Sequence, residues 1–287
     1  MYIIFYILSC LPRTFFVVLI DLYIYTKIYK FSKAYKITNL NLKIAFPKRS
    51  LSNIELLSRL SLRESLIAGY ETIYTWGRSY YDSNKYIFKV ENNFLLKKSI
   101  NKNKGLICVA YHNRSVDMLL TWLNSQTITV SLYKEIKNKI LETFVKKKRE
   151  MNGSTSVKTS ISGVRVIYKA LMKKKVICFA ADQVPKRGMG EHINFFGRKA
   201  YSTTLVQSLA HKTKSPVIYC AVCSSKNGFL YISINECNQR IYNNSEHLQI
   251  INNDIERMIN ERPVDYAWEY KRFKRSLPEN KNLYFDI

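Results

Sequence analysis

The stretch Tyr111-His112-Asn113-Arg114-Ser115-Val116-Asp117 sets a base and an acid at a spacing that can do chemistry. The run GLICVAY before it is short, apolar and β-branched, which reads as a buried strand, so His112 falls where that strand ends. Ser115 is a helix-capping residue type, and a helix starting there carries Asp117 in its first turn. In open α/β sheets, ligand sites gather at such carboxyl ends of strands. A carboxylate folded back onto one imidazole nitrogen fixes the tautomer and leaves the other nitrogen as a general base. The expectation is therefore a catalytic pair, His112 with Asp117. The plainer alternative is a histidine satisfied at a strand end, with Asp117 as a favourable charge at a helix start. His192, His211 and His247 have Gly197, Pro216 and Asn252 at the same offset, so His112 alone has the acid. No G-x-S-x-G, phosphate-binding loop, H-E-x-x-H or paired glycine fingerprint competes.

The elements that must position these residues alternate. Residues 105–111, 127–133, 176–182, 192–197, 216–223 and 229–237 read as strands. Residues 118–123, 135–151, 163–175, 203–214, 246–261 and 264–273 read as helices, after a long helical stretch that begins past residue 50. Such alternation predicts an α/β fold, a mixed central sheet flanked by helices. With no repeat, low-complexity tract or boundary past residue 50, the expected organisation is an anchor helix over 1–31 and one catalytic domain over 32–287.

Lys+Arg 46 against Asp+Glu 21 gives a net charge of +25, which draws the chain to polyanions: anionic lipid, phosphorylated substrates or nucleic acid. The six cysteines are scattered and do not form a disulfide framework. Cys220-x-x-Cys223 has zinc-like spacing without a second ligand pair, so no metal is expected. The first 31 residues are apolar and aromatic, interrupted by Pro12, Arg13 and Asp21. They lack the basic start and small-residue end of a cleaved signal peptide. Their longest uncharged runs fall short of the ~18–20 residues that a clean span needs. Lys27, Lys30, Lys33, Lys36, Lys43, Lys48 and Arg49 follow without an intervening acid, which favours the cytoplasmic face of a membrane and anionic headgroups. A spanning or deeply inserted segment is expected.

The chain resembles the bacterial lipid A late acyltransferases, the lauroyl/myristoyl transferases, whose H-x-x-x-x-D/E motif is shared with the glycerolipid acyltransferases. The resemblance runs nearly the whole length. Asn41-Leu42-x-x-x-Phe46-Pro47 is similar to N-L-x-x-x-F-P, and Glu71 with Trp76 to E-x-x-x-x-W. Lys104-Gly105 leads into the His112 motif, Arg149-x-Met151-x-Gly153 resembles R-x-R-x-G, and Asp182-Gln183 resembles a D-Q strand end. Phe195-Phe196-Gly197 with Thr203-Thr204 resembles F-F-G…T-T. Arg262-Pro263-x-x-Tyr266-x-Trp268-x-x-Lys271-Arg272-Phe273-Lys274 resembles the family's carboxyl-terminal pattern. The departures are Asp117 where Glu is common, Lys134 for Arg, Met151 for a basic residue, and Val184 where a further acid is frequent.

The resemblance implies a glycerolipid-acyltransferase-like fold and transfer of a fatty acyl chain, without a cofactor, from an acyl carrier protein thioester to a hydroxyl of a lipid A precursor. The implied setting is the cytoplasmic face of the cell inner membrane, with anionic lipids as a further partner and no nucleic acid. In that scheme His112 takes the hydroxyl proton and Asp117 orients it. Arg149, Asp182 and Gln183 lie with the substrate, and Asp182 holds Arg149 or a substrate group. Arg114, Lys186 and Arg187 grip phosphates or carboxylates of the acceptor. The rival readings are an acyltransferase for another glycolipid or glycerolipid acceptor, and a membrane-tethered nucleic-acid-binding protein. The latter lacks any recognised motif.

Overall fold

The computed structural model describes residues 2–243, 247–277, 283–285 and 287. Five helices precede the first strand: α1 (Tyr2–Cys10), α2 (Arg13–Tyr25), α3 (Lys33–Ala45), α4 (Leu51–Gly77) and α5 (Tyr80–Asn84). Then come β1 (Ile87–Glu91), α6 (Asn93–Asn101), β2 (Leu106–Ala110), α7 (Val116–Gln126), β3 (Thr129–Tyr133) and α8 (Lys139–Arg149). β4 (Thr155–Lys158), α9 (Ile161–Met172), β5 (Val176–Ala180), β6 (Gly190–Phe195) and β7 (Arg198–Thr203) follow. The chain continues through α10 (Leu205–Thr213), β8 (Val217–Ser224), β9 (Leu230–Glu236) and α11 (His247–Glu261).

The most apolar runs make the centre of the sheet. LICVA in β2 and VIYCAVCS in β8 are buried along their whole length, as strands covered on both faces must be. The seven-stranded sheet has the order β1-β9-β8-β2-β5-β3-β4, and its pairs are parallel except β8 with β9. It is therefore the mixed, helix-flanked α/β sheet that the alternation predicts. Side chains alternate along β2. Ile107 and Val109 join the core under α3, α9, α10 and α11, while Leu106, Cys108 and Ala110 join the smaller core with α6 and α7. The same alternation places Cys220 and Cys223 in different cores, so they cannot share a metal.

Some expectations about elements change. Residues 264–273 are not a helix. A 3-10 turn, Pro263–Asp265, gives way to irregular turns. Tyr266, Trp268, Arg272 and Phe273 are all buried, and the backbone here pairs with the His112 loop: Asn113 bridges Tyr266, and Ala267 N–H donates to His112 O at 2.9 Å. A helix would spend those backbone groups internally. The strand near 192–197 pairs only with β7, in a separate antiparallel hairpin. β1, β4 and α6 are additional elements.

The amino terminus is not one helix. Pro12 is extended (ψ 143°), and α1 and α2 meet there at 88°. Among the described residues no single helix is long and apolar enough to cross a membrane. Both helices pack on α4. At Gly77 an added Cβ would lie 2.2 Å from Phe5 O, so only glycine lets α1 approach so closely. The charges that interrupt the apolar sequence find partners on α4: Arg13 reaches the buried Glu71, and the exposed Asp21 takes a fork from Arg63. The outward side keeps Ile3, Ile4, Ile7, Phe15, Val18, Leu19 and Leu22 exposed.

Candidate active site

Two strands build the site. β2 and β5 pair in register from Leu106↔Val176 to Ala110↔Ala180, and Ala181 N–H donates to Ala110 O at 2.9 Å. Extending that register by two residues sets His112 opposite Asp182. Asp182 Oδ1 lies 2.8 Å from His112 Nδ1, and Oδ2 accepts from the His112 backbone N–H at 3.0 Å. Burial alone would depress the imidazole, but the Asp182 charge and hydrogen bond, with Glu269 adding, hold it above its ordinary value. Burial likewise opposes ionisation of Asp182, and His112 and Arg272 outweigh it, so that carboxyl lies below the usual range. The acid that orients His112 is thus Asp182, and not Asp117 as the spacing suggested. Asp182 does not hold Arg149, which forks onto Asp117; both Asp182 oxygens take bonds from His112.

Asp117 starts α7 as expected, with Ser115 Oγ accepting from Met118 N–H at 3.2 Å as the cap. Its carboxylate turns the other way. Arg149, at the end of α8, forks onto it through Nε (2.6 Å) and Nη2 (3.0 Å). With both of its oxygens on Arg149, the Asp117 carboxylate is not folded back onto the ring.

Arg114 is not a phosphate grip. It has positive φ (54°), its backbone N–H donates to Asp265 O at 2.9 Å, and its guanidinium is fully buried against Glu71, Glu64 and Asp265. Arg13, Arg63 and Arg262 complete the network from outside. The network holds the His112 loop in a backbone conformation that is costly for a non-glycine residue. Asn41 plays a matching part behind the site. Its side-chain amide donates to Trp268 O (2.6 Å) and Tyr270 O (2.8 Å), fixing the segment beside His112.

Gln183 lies beside the imidazole, with its Nε2 3.0 Å from His112 Nε2. His112, Asp117, Arg149 and Gln183 line one cavity of about 1250 Å3, walled by Leu120, Tyr133 and Phe179 and edged by Lys134, Lys186, Lys274 and Arg275. Lys186 is exposed at this rim; Arg187 is exposed outside it. A recess of about 280 Å3 adjoins, lined by His112, Asp182, Gln183, Ala267, Glu269 and Tyr270. Glu269 was not singled out in the sequence. Burial raises its carboxyl above the usual range, and Ser65 donates to Oε2 at 2.9 Å. Its only sequence signal was its place inside the carboxyl-terminal pattern. Among the described residues, no group of three or more His, Cys, Asp or Glu is placed to hold a metal.

The structure thus sets a carboxylate-buttressed imidazole at the carboxyl ends of two central parallel strands, facing a large and mostly apolar cavity on an α/β scaffold. Over residues 1–275 the chain matches the model of the bacterial lipid A biosynthesis acyltransferases, and it belongs to that family. It is thus an acyltransferase of lipid A biosynthesis, with a lipid A-type acceptor. No curated protein matches the chain.

Proposed function

We propose that the protein transfers a fatty acyl chain from an acyl carrier protein thioester to a hydroxyl of a lipid A precursor, with His112 as general base. The observation that carries this reading is the contact of His112 Nδ1 with Asp182 at 2.8 Å. An ionised carboxylate only accepts, so the neutral ring keeps its proton on Nδ1 and offers Nε2 to the hydroxyl. The hydroxyl oxygen attacks the thioester carbonyl as its proton passes to Nε2. The tetrahedral intermediate then collapses with cleavage of the C–S bond, and the imidazolium returns the proton to the thiolate. Asp182 stabilises the imidazolium between these events. Asp117 acts through Arg149, holding its guanidinium on the cavity wall.

The cations at the cavity rim, Lys134, Lys186, Lys274 and Arg275, suit the phosphates of such an acceptor and the acidic surface of a carrier protein. The exposed apolar side of α1 and α2, followed by the exposed Lys27, Lys30, Lys33, Lys36, Lys43, Lys48 and Arg49, suits the cytoplasmic face of the inner membrane, with the bent pair lying in the interface. The test is His112→Ala assayed with acyl carrier protein thioesters and a lipid A precursor. Loss of about a hundred- to ten-thousandfold in rate is expected. Activity within about threefold of wild type would overturn the reading.

A further inference from the structure

Asp182 receives both the backbone N–H and ring Nδ1 of His112, so the lone pair of the neutral ring lies on Nε2. The group facing that lone pair is the Gln183 carboxamide, with Nε2 to Nε2 at 3.0 Å. An amide N–H therefore occupies the place that the acceptor hydroxyl must take, since a general base works within roughly 2.6–3.2 Å of the oxygen it deprotonates. We propose that Gln183 is a catalytic residue: its carboxamide caps the base nitrogen in the substrate-free protein, yields that place to the acceptor hydroxyl, and donates to the oxyanion of the tetrahedral intermediate. This rests on the proposed function of the site.

The surroundings of Gln183 let the side chain move while its backbone stays. On one side Asp182 is pinned by two bonds to His112. On the other, Val184 N–H donates to Tyr270 Oη at 3.1 Å. The side chain itself lines both the main cavity and the recess, so it has space on either side of the ring. Swinging off Nε2 by about one hydrogen-bond length leaves its N–H beside the oxygens on the carbon under attack. The two guanidiniums nearest the His112 loop are committed. Arg149 forks onto Asp117, and Arg114 is buried among three carboxylates. The step balances: the C–O bond forms, the hydroxyl proton goes to Nε2, the carbonyl π pair becomes the oxyanion that takes the amide N–H, and re-forming C=O expels the thiolate. A neutral donor serves here because it can cap the lone pair of neutral His112 without an ion's hold on its position.

The experiment is steady-state kinetics of Gln183→Ala and of the isosteric Gln183→Glu, with an acyl carrier protein thioester and a lipid A precursor, across pH. Loss of one oxyanion donor lowers kcat by roughly a hundred- to a thousandfold. The acceptor KM is expected to stay within about threefold, and Gln183→Glu, which keeps the shape but not the donor, loses kcat as well. In Gln183→Ala the acid limb of kcat/KM moves to higher pH, because a bond favouring neutral imidazole is gone. The charged groups facing the ring, Asp182, Glu269 and Arg149, are unchanged in that variant. A merely structural brace would lower the melting temperature and leave kcat of the folded protein within about threefold of wild type. Gln183→Ala with kcat within about threefold of wild type, or a loss residing in acceptor KM, overturns the assignment. If His112→Ala keeps activity, the general-base reading itself falls. If His112→Ala is inactive and Gln183→Ala is normal, only the role of Gln183 falls.

Discussion

Asp182→Asn separates the two things this carboxylate does for His112. It removes the charge that holds the imidazole above its ordinary value, so the acid limb of kcat/KM moves to lower pH. It also unsettles the tautomer, so the plateau falls by about a thousandfold or more. Asp117→Asn, which frees Arg149 and leaves the ring contact intact, moves the limb far less. A pH–rate profile of both variants checks the assignment. A limb that shifts with Asp117 and not with Asp182 would restore the pairing suggested by the spacing. Arg114 makes a different prediction. Arg114→Met strands Glu71 and Asp265 without their buried cation, and losing one partner of such a network costs about 3–5 kcal/mol. Denaturant unfolding should show that loss; a variant of native stability with a raised acceptor KM would make Arg114 a substrate ligand instead.

The elements explain why the sequence singled out His112 and yet paired it with a carboxylate that the structure places on Arg149. His112 and Asp182 each lie two residues past a five-residue apolar strand, LICVA and VICFA, so an in-register parallel pair must set them side by side. Sequence showed both strands, but which strands are neighbours, and at what register, is a matter of tertiary pairing. Proximity along the chain favoured Asp117 instead. The carboxyl-terminal segment was misread for a related reason. The helix expected over 264–273 gives way to an irregular path, because Tyr266, Trp268, Arg272 and Phe273 are all buried and the backbone bonds to the His112 loop. The amino-terminal elements depend on Gly77. Gly77→Val forces a Cβ into Phe5 O and overpacks the contact, at a cost of about 1–3 kcal/mol. Limited proteolysis should then cut between α1 and α2 sooner than in wild type. Unchanged protection would mean that α1 is held elsewhere.

At the scale of the whole molecule, the proposed membrane contact combines the net charge of +25 with the outward apolar side of α1 and α2. Each cation near an anionic surface adds about 1 kcal/mol, which salt screens, while apolar burial persists. Flotation with anionic vesicles should therefore capture the full chain at low salt and hold a reduced fraction at high salt. Protein that stays below the vesicles at low salt would return the two helices to a purely structural role. The α/β class, the His112 motif and the family were legible because they rest on local apolar runs and short motifs; the bend at Pro12 and the pairing of Arg13 and Asp21 with α4 needed the position of that helix. One measurement bears most directly on the site as a whole. Purified wild type and Asp182→Asn are incubated with acyl carrier protein thioesters of several chain lengths and a lipid A precursor, and the product is read by mass spectrometry. Wild type is predicted to add one acyl chain to the precursor, and Asp182→Asn to add almost none in the same time. Equal acylation by both proteins, or none by wild type with any thioester, would contradict a His112–Asp182 acyltransferase site.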